Sequence, residues 1–156
     1  MSEHQTATLE SVDPRTPEVA AMIHELDRYM IALYPAESNH LVDIEVLTRP
    51  NVRFFAAKAF DTFQGCGAIM IHGGDYAEVK RVFVLPAARG LGLGRHILEK
   101  LEQAARKEGL TVLRLETGIC QPEALKMFEA FGFTRCSAFG DYPENDRYSV
   151  FMEKHI

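Results

Sequence analysis

A chain of 156 residues, 47% apolar and 25% charged, has the size and make-up of one ordinary globular domain whose core needs no staples. Its formal net charge of −5 argues against non-specific nucleic-acid binding, and no apolar run approaches the ~20 residues of a membrane span. Three cysteines, Cys66, Cys120 and Cys136, without C-x-x-C spacing argue against a disulfide framework or a zinc site and for a reducing cytoplasm.

The opening ten residues lack the basic and apolar regions of a secretory signal. Residues 6–12 read as a short strand that Asp13-Pro14 ends. Val19, Met22, Ile23, Leu26, Met30 and Leu33 recur at helical spacing, predicting a helix over 17–33 that Tyr34-Pro35 stops. A second, short helix is expected at 41–47. Residues 52–60 and 63–72 read as two strands joined by a tight turn at Asp61-Thr62, and Gly73-Gly74-Asp75 turns the chain into a third over 77–85. Short turns between three successive strands imply an antiparallel meander.

Residues 92–107 give the clearest helical stripe, with Ile97, Leu98, Leu101, Ala104 and Ala105 on one face and Arg106 and Lys107 suitably placed at the C-terminus. A buried strand over 111–116, a helix over 121–131 with Gly132 as its C′ residue, and strands over 133–138 and 148–153 complete the chain. The order is β-α-α-β-β-β-α-β-α-β-β, an α/β layered fold with a mixed sheet and helices on both faces, taken as one domain spanning 1–156.

Charge is unevenly spread. Residues 1–78 hold 12 acidic and 5 basic side chains, whereas 79–156 hold 10 acidic and 12 basic, and Lys80, Arg81, Arg89 and Arg95 stand within 79–98 without a carboxylate. Beside this basic island a strand ends at Pro86, a turn follows, and a helix opens within Arg89-Gly90-Leu91-Gly92-Leu93-Gly94-Arg95. A helix N-terminus offers unpaired N–H groups at the positive end of the helix dipole. Glycines remove the side chains that would keep an anion away from those donors. The combination predicts a phosphate cradle. The spacing is not that of a P-loop, and the third position after Gly92 is Arg95, which departs from the dinucleotide fingerprint.

Arg89-x-x-Gly92-x-Gly94 after a strand ending Val84-x-Pro86 resembles the acetyl-CoA signature of the GCN5-related N-acetyltransferases (GNAT family), and the element order resembles that fold over nearly the whole chain. Leu115-Glu116-Thr117-Gly118, Phe131-Gly132-Phe133 and Phe139-Gly140-Asp141-Tyr142 are similar to a bacterial acetyltransferase subgroup. The resemblance implies a mostly antiparallel sheet splayed into a V. It also implies acetyl-CoA as acyl donor, its pantetheine arm along the backbone of Val82, Phe83 and Val84, and its pyrophosphate on Arg89, Gly90, Leu91, Gly92, Leu93, Gly94 and Arg95. Gln121, Ala124 and Phe128 of the following helix would flank the arm. The implied acceptor is a small-molecule amine, with no metal, nucleic acid or membrane involved, and a homodimer is compatible with the family.

Acyl transfer to an amine needs a base for the amine and a fate for the departing thiolate. Glu78 is the first choice of base, against the simpler reading of a solvent-facing glutamate that pairs with Lys80 on the same strand face; Glu116 is the second. Many relatives carry a tyrosine where this chain has Phe128, which has no proton to give. Either the thiolate leaves unassisted or another group substitutes, with Tyr142 and Tyr148 as candidates. The missing tyrosine also leaves open a non-catalytic coenzyme A-binding sensor or partner-binding module.

Overall fold

The computed structural model describes residues 7–38 and 43–156. Its strands are β1 (Thr8–Ser11), β2 (Val52–Ala59), β3 (Thr62–His72), β4 (Tyr76–Val84), β5 (Val112–Gly118), β6 (Thr134–Arg135) and β7 (Ser149–His155), and its helices are α1 (Pro17–Leu33), α2 (Ile44–Leu47), α3 (Leu93–Lys107) and α4 (Pro122–Ala130). They form a seven-stranded sheet in the order β1-β2-β3-β4-β5-β7-β6. Among the described residues only the β4–β5 pair is parallel. No described helix is long and apolar enough to cross a membrane.

The apolar stripes place the helices. Ile97, Leu98, Leu101 and Ala105 of α3 pack with Leu113, Leu115 and Phe128 on one face of the sheet. Val19, Met22, Ile23 and Leu26 of α1, with Leu47 of α2, pack on Phe54, Ala56, Cys66, Ala68 and Phe83 on the other. The sheet is therefore buried on both sides, as an α/β layer requires. The approach of α3 is close: a Cβ on Gly67 would lie 2.5 Å from Cγ2 of Ile97.

Two irregularities in β4 shape the middle of the molecule. Opposite Cys66 to Ala68 of β3, β4 runs from Phe83 to Lys80, one residue more than its partner, and Arg81 has φ +58°. This bulge twists and re-aims the strand. The carbonyl of Arg81 accepts from the fully buried thiol of Cys66, S···O 3.2 Å. Burial pushes that thiol up to about 12, so it stays a neutral donor. The second irregularity is that β4 and β5 pair only from Ala77↔Leu113 to Val79↔Leu115. Beyond that point β5 follows β7 as far as Gly118↔Ser149, and β4 follows β3 as far as Val84↔Gly65. The sheet splits there into a V.

Several boundaries differ from expectation. The hairpin turn lies at Phe60-Asp61, both with positive φ (+55° and +61°), and Thr62 already belongs to β3; two such residues in succession suit the strand twist of a tight hairpin. The strand expected over 133–138 is reduced to Thr134–Arg135, because Phe133 turns into the core and residues beyond Cys136 leave the sheet to form a long loop. Of the short helix expected at 41–47, Ile44–Leu47 is present, and residues 41 and 42 lie outside the described residues. Short 3-10 turns at Ala36–Ser38 and Pro86–Ala88 were not legible in the pattern.

Candidate active site

The cleft of the V continues into a trough of about 650 Å³ that runs to the glycine turn. Gly90 (φ +87°) and Gly92 (φ +77°) adopt left-handed backbone, and a Cβ on either would meet nothing within 4 Å. The glycines thus supply the conformation and keep the space open. Gly92 caps α3, His96 N–H is the first to bond back to its carbonyl (3.2 Å), and the amides of Leu93, Gly94 and Arg95 have no acceptor one turn earlier in the helix. Gly94 has a different reason for being glycine: a Cβ there would lie 2.3 Å from the sulfur of Met127 on α4.

Of the residues expected from the sequence, the trough brings together Val82, Phe83, Val84, Arg89, Gly90, Gly92, Leu93, Gly94, Arg95, Gln121 and Ala124, and Leu26, Tyr29, Ala88, Pro122, Glu123 and Met127 complete its wall. Leu91 instead projects outward, 54% exposed, and Phe128 belongs to the chamber at the other end. Leu85 N–H bonds Gln64 O across to β3 at 2.8 Å, so strand alternation turns the amides and carbonyls of Val84 and Val82 toward the trough. Arg89 Nε donates to the Val84 carbonyl there, at 3.2 Å.

The basic island does not act as one patch. Lys80 pairs with Glu78 (3.1 Å), Arg81 is buried against Asp27 of α1, and Arg95 reaches Glu99 one turn along α3 (3.1 Å). The first two face α1, away from the turn, because the alternation of β4 and its bulge point them there.

At the split of the V lies a smaller chamber of about 100 Å³, walled by Leu26, Met30, Tyr34, Ser38, Lys80, Val82, Glu116, Gln121, Phe128 and Tyr148 among others. Leu26, Val82 and Gln121 border both spaces, so they mark the junction between trough and chamber. Glu78 and Tyr142 come together just behind Lys80. Glu78 is buried; its Oε1 lies 2.9 Å from His72 Nε2, and its Oε2 accepts from Tyr142 O–H (2.5 Å) and Lys80 Nζ (3.1 Å). Lys80 Nζ also donates to the Tyr142 oxygen at 2.7 Å. Burial, then the charge and hydrogen bond of Glu78, push the Tyr142 phenol up from its ordinary value. The expected pairing of Glu78 with Lys80 is present, but inside the molecule and not on a solvent-facing surface. Glu116 accepts from the Ser149 hydroxyl at 2.7 Å. The Tyr148 hydroxyl accepts from the exposed Arg147 at 2.9 Å.

Sequence reasoning missed Tyr34. Tyr34-Pro35 reads only as a helix stop, yet the Tyr34 hydroxyl accepts from Cys120 N–H (3.1 Å) and donates to Gln121 Oε1 (3.3 Å), tying the end of α1 to the start of α4. The signal that could have found it is Gly118: a Cβ there would lie 1.8 Å from that oxygen.

A profile of the acetyltransferase (GNAT) family matches residues 19–133. The chain belongs to the GNAT family. It is 47% identical over 150 residues to an IAA acetyltransferase of Azospirillum brasilense, covering 96% of this chain and 97% of that one. A crystal structure described as an acyl-CoA N-acyltransferase from Klebsiella pneumoniae superposes with TM-score 0.81 at 32% identity, covering 97% and 98% of the two chains. The fold also matches, at TM-score 0.72 and 18% identity over 97% and 99% of the chains, the PaiA N-acetyltransferase of Thermoplasma acidophilum in complex with coenzyme A. This GNAT protein is thus an acyl-CoA N-acyltransferase, which decides between enzyme and sensor in favour of the enzyme.

Proposed function

We propose that this acetyltransferase works as a single catalytic domain and moves an acetyl group from acetyl-CoA directly to a primary amine of a small molecule. The carrying observation is a pair of adjoining spaces: the trough from the glycine turn along the Val84–Val82 edge, and the chamber at the split of β4 and β5, which share Leu26, Val82 and Gln121 as walls. The pyrophosphate lies on the amides opening α3, with Arg89 and Arg95 adding charge. The pantetheine arm adds to the free edge of β4 as an extra strand would, with Gln121 and Ala124 on its far side. The thioester then reaches the junction, and the amine attacks from the chamber. A chamber of about 100 Å³ suits a small acceptor.

In this reading the amine's proton passes to the oxygen of Tyr142 as Tyr142 gives its own to Glu78, along the 2.5 Å hydrogen bond between them. The raised phenol keeps Tyr142 protonated between turnovers. A backbone N–H at the β4 edge polarises the thioester carbonyl.

The test is calorimetry with acetyl-CoA together with thiol release over a panel of small primary amines. Saturable binding and release with at least one amine are expected. Absence of binding by any coenzyme A thioester would overturn the reading.

A further inference from the structure

We propose that Tyr34 is a catalytic residue, its phenol donating the hydrogen bond that stabilises the coenzyme A thiolate as it leaves. The proposal rests on the acyl-CoA reading above, which brings the sulfur to the junction of trough and chamber. Gln121 borders both spaces, and the Tyr34 hydroxyl lies 3.3 Å from its side-chain oxygen. Phe128, in the chamber wall, carries no donor. Among the other wall residues Lys80 is engaged with Glu78 and Tyr142, Ser38 donates to Asp146, and the Tyr148 hydroxyl is drawn into an exposed pair with Arg147.

The site is built around this phenol. Gly118 has no side chain where a Cβ would stand 1.8 Å from the oxygen, and Tyr148 packs edge-on to the ring at 6.2 Å. Cys120 N–H donates to the oxygen at 3.1 Å, which polarises the O–H as a donor. In the acyl-CoA complex the O–H turns from its resting partner, Gln121 Oε1, to the sulfur.

The step balances without a lasting transfer from tyrosine. The amine lone pair forms the C–N bond, and the tetrahedral adduct collapses with the C–S electron pair going to sulfur. The Tyr34 O–H shares its proton with that sulfur, and the thiolate then takes a proton from solvent. Burial raises the phenol to about 12, against ~8.5 for a simple thiol, so a hydrogen bond is favoured over complete transfer.

The test is Tyr34→Phe, assayed with acetyl-CoA and the best amine. Loss of one charge-assisted hydrogen bond in the transition state lowers kcat by roughly 10- to 100-fold, with the KM for acetyl-CoA within about threefold. The decisive readout is the thiolate ultraviolet absorbance of bound coenzyme A, titrated against pH. Its midpoint lies below that of free coenzyme A in the wild type and moves up toward it in Tyr34→Phe, a change that a purely structural tyrosine would not produce. Should that variant fold poorly, 3-fluorotyrosine at position 34 keeps the ring and strengthens the donor, and the midpoint moves further down. Unchanged kcat, or a thiol midpoint indifferent to both replacements, overturns the proposal. Loss of coenzyme A binding by the wild type itself would instead overturn the acyl-CoA reading.

Discussion

The sulfur of Met127 lies 2.3 Å from the point where a Cβ on Gly94 would stand. Two helices that both wall the trough, α3 and α4, thus touch through a position where one carries no side chain. Ala in place of Gly gains up to ~1 kcal/mol of helix propensity but meets a side chain fixed in a packed wall, where overpacking costs ~1–3 kcal/mol. Gly94→Ala is expected to push α3 and α4 apart and weaken acetyl-CoA binding about tenfold in calorimetry. Adding Met127→Ala in the same chain is expected to recover part of that affinity. A Gly94→Ala protein with full affinity would mean the two helices do not fix the trough's width.

Gly90 and Gly92 face the opposite situation, open space but left-handed backbone. Alanine at either costs ~1–2 kcal/mol for the conformation alone. Gly92→Ala is expected to lower Tm by several degrees and coenzyme A affinity by tenfold or more, since the methyl group also enters the space left for the anion. Thermal unfolding with and without coenzyme A separates the two effects: the strain lowers Tm in both, and the lost cradle shrinks the ligand-induced rise.

Glu78→Gln removes the proton acceptor, and Tyr142→Phe the relaying hydroxyl, of the short bond through which the amine's proton is proposed to travel. General-base assistance contributes ~10²–10⁴-fold, so kcat should fall by that order in both, with coenzyme A binding within about twofold of wild type. The double variant should lose no more than either single one, because a relay acts as a unit. Full additivity of the two losses would separate the residues and disprove the relay.

Much of the scaffold was legible because its signals are local. The stripe of α1, the stripe of α3 and the positive-φ glycines are each written within a few residues. The crossing contacts were not. Arg81 reads as part of a basic island, and only the bulge that turns it toward Asp27 removes it from the phosphate end. Tyr34 reads as a helix terminator, and its role depends on Gly118, 84 positions later, leaving room for its oxygen. The end of the sheet was overestimated, since the apolar Phe133 belongs to the core packing of α4 rather than to a long β6. Glu78 reads as a base or as the partner of Lys80, whereas its hydrogen bonds to His72 and Tyr142 join separate stretches of sequence.

A second kind of charge pair holds the far end of the molecule. Glu102 of α3 accepts from Lys154 of β7 at 2.6 Å and lies 3.4 Å from Arg106, with the Glu102 and Lys154 side chains 19% and 22% exposed. Burial pushes the Glu102 carboxyl up, but the hydrogen bonds and charges of Lys154 and Arg106 outweigh it and hold it below its ordinary value. A carboxylate depressed in the folded state adds stability that is fully present above its unfolded value, ~4.3, and is lost as pH falls through the folded one. Glu102→Gln is therefore expected to lower Tm at pH 7 by a few degrees, matching a loss of ~1 kcal/mol. The gap to wild type should persist down to about pH 5 and close as pH drops further, through and below the ordinary carboxylate range. Calorimetric scans of both proteins between pH 7 and about pH 3 check this; a gap that stays constant or widens on acidification would mean that packing, not the ion pair, ties α3 to β7.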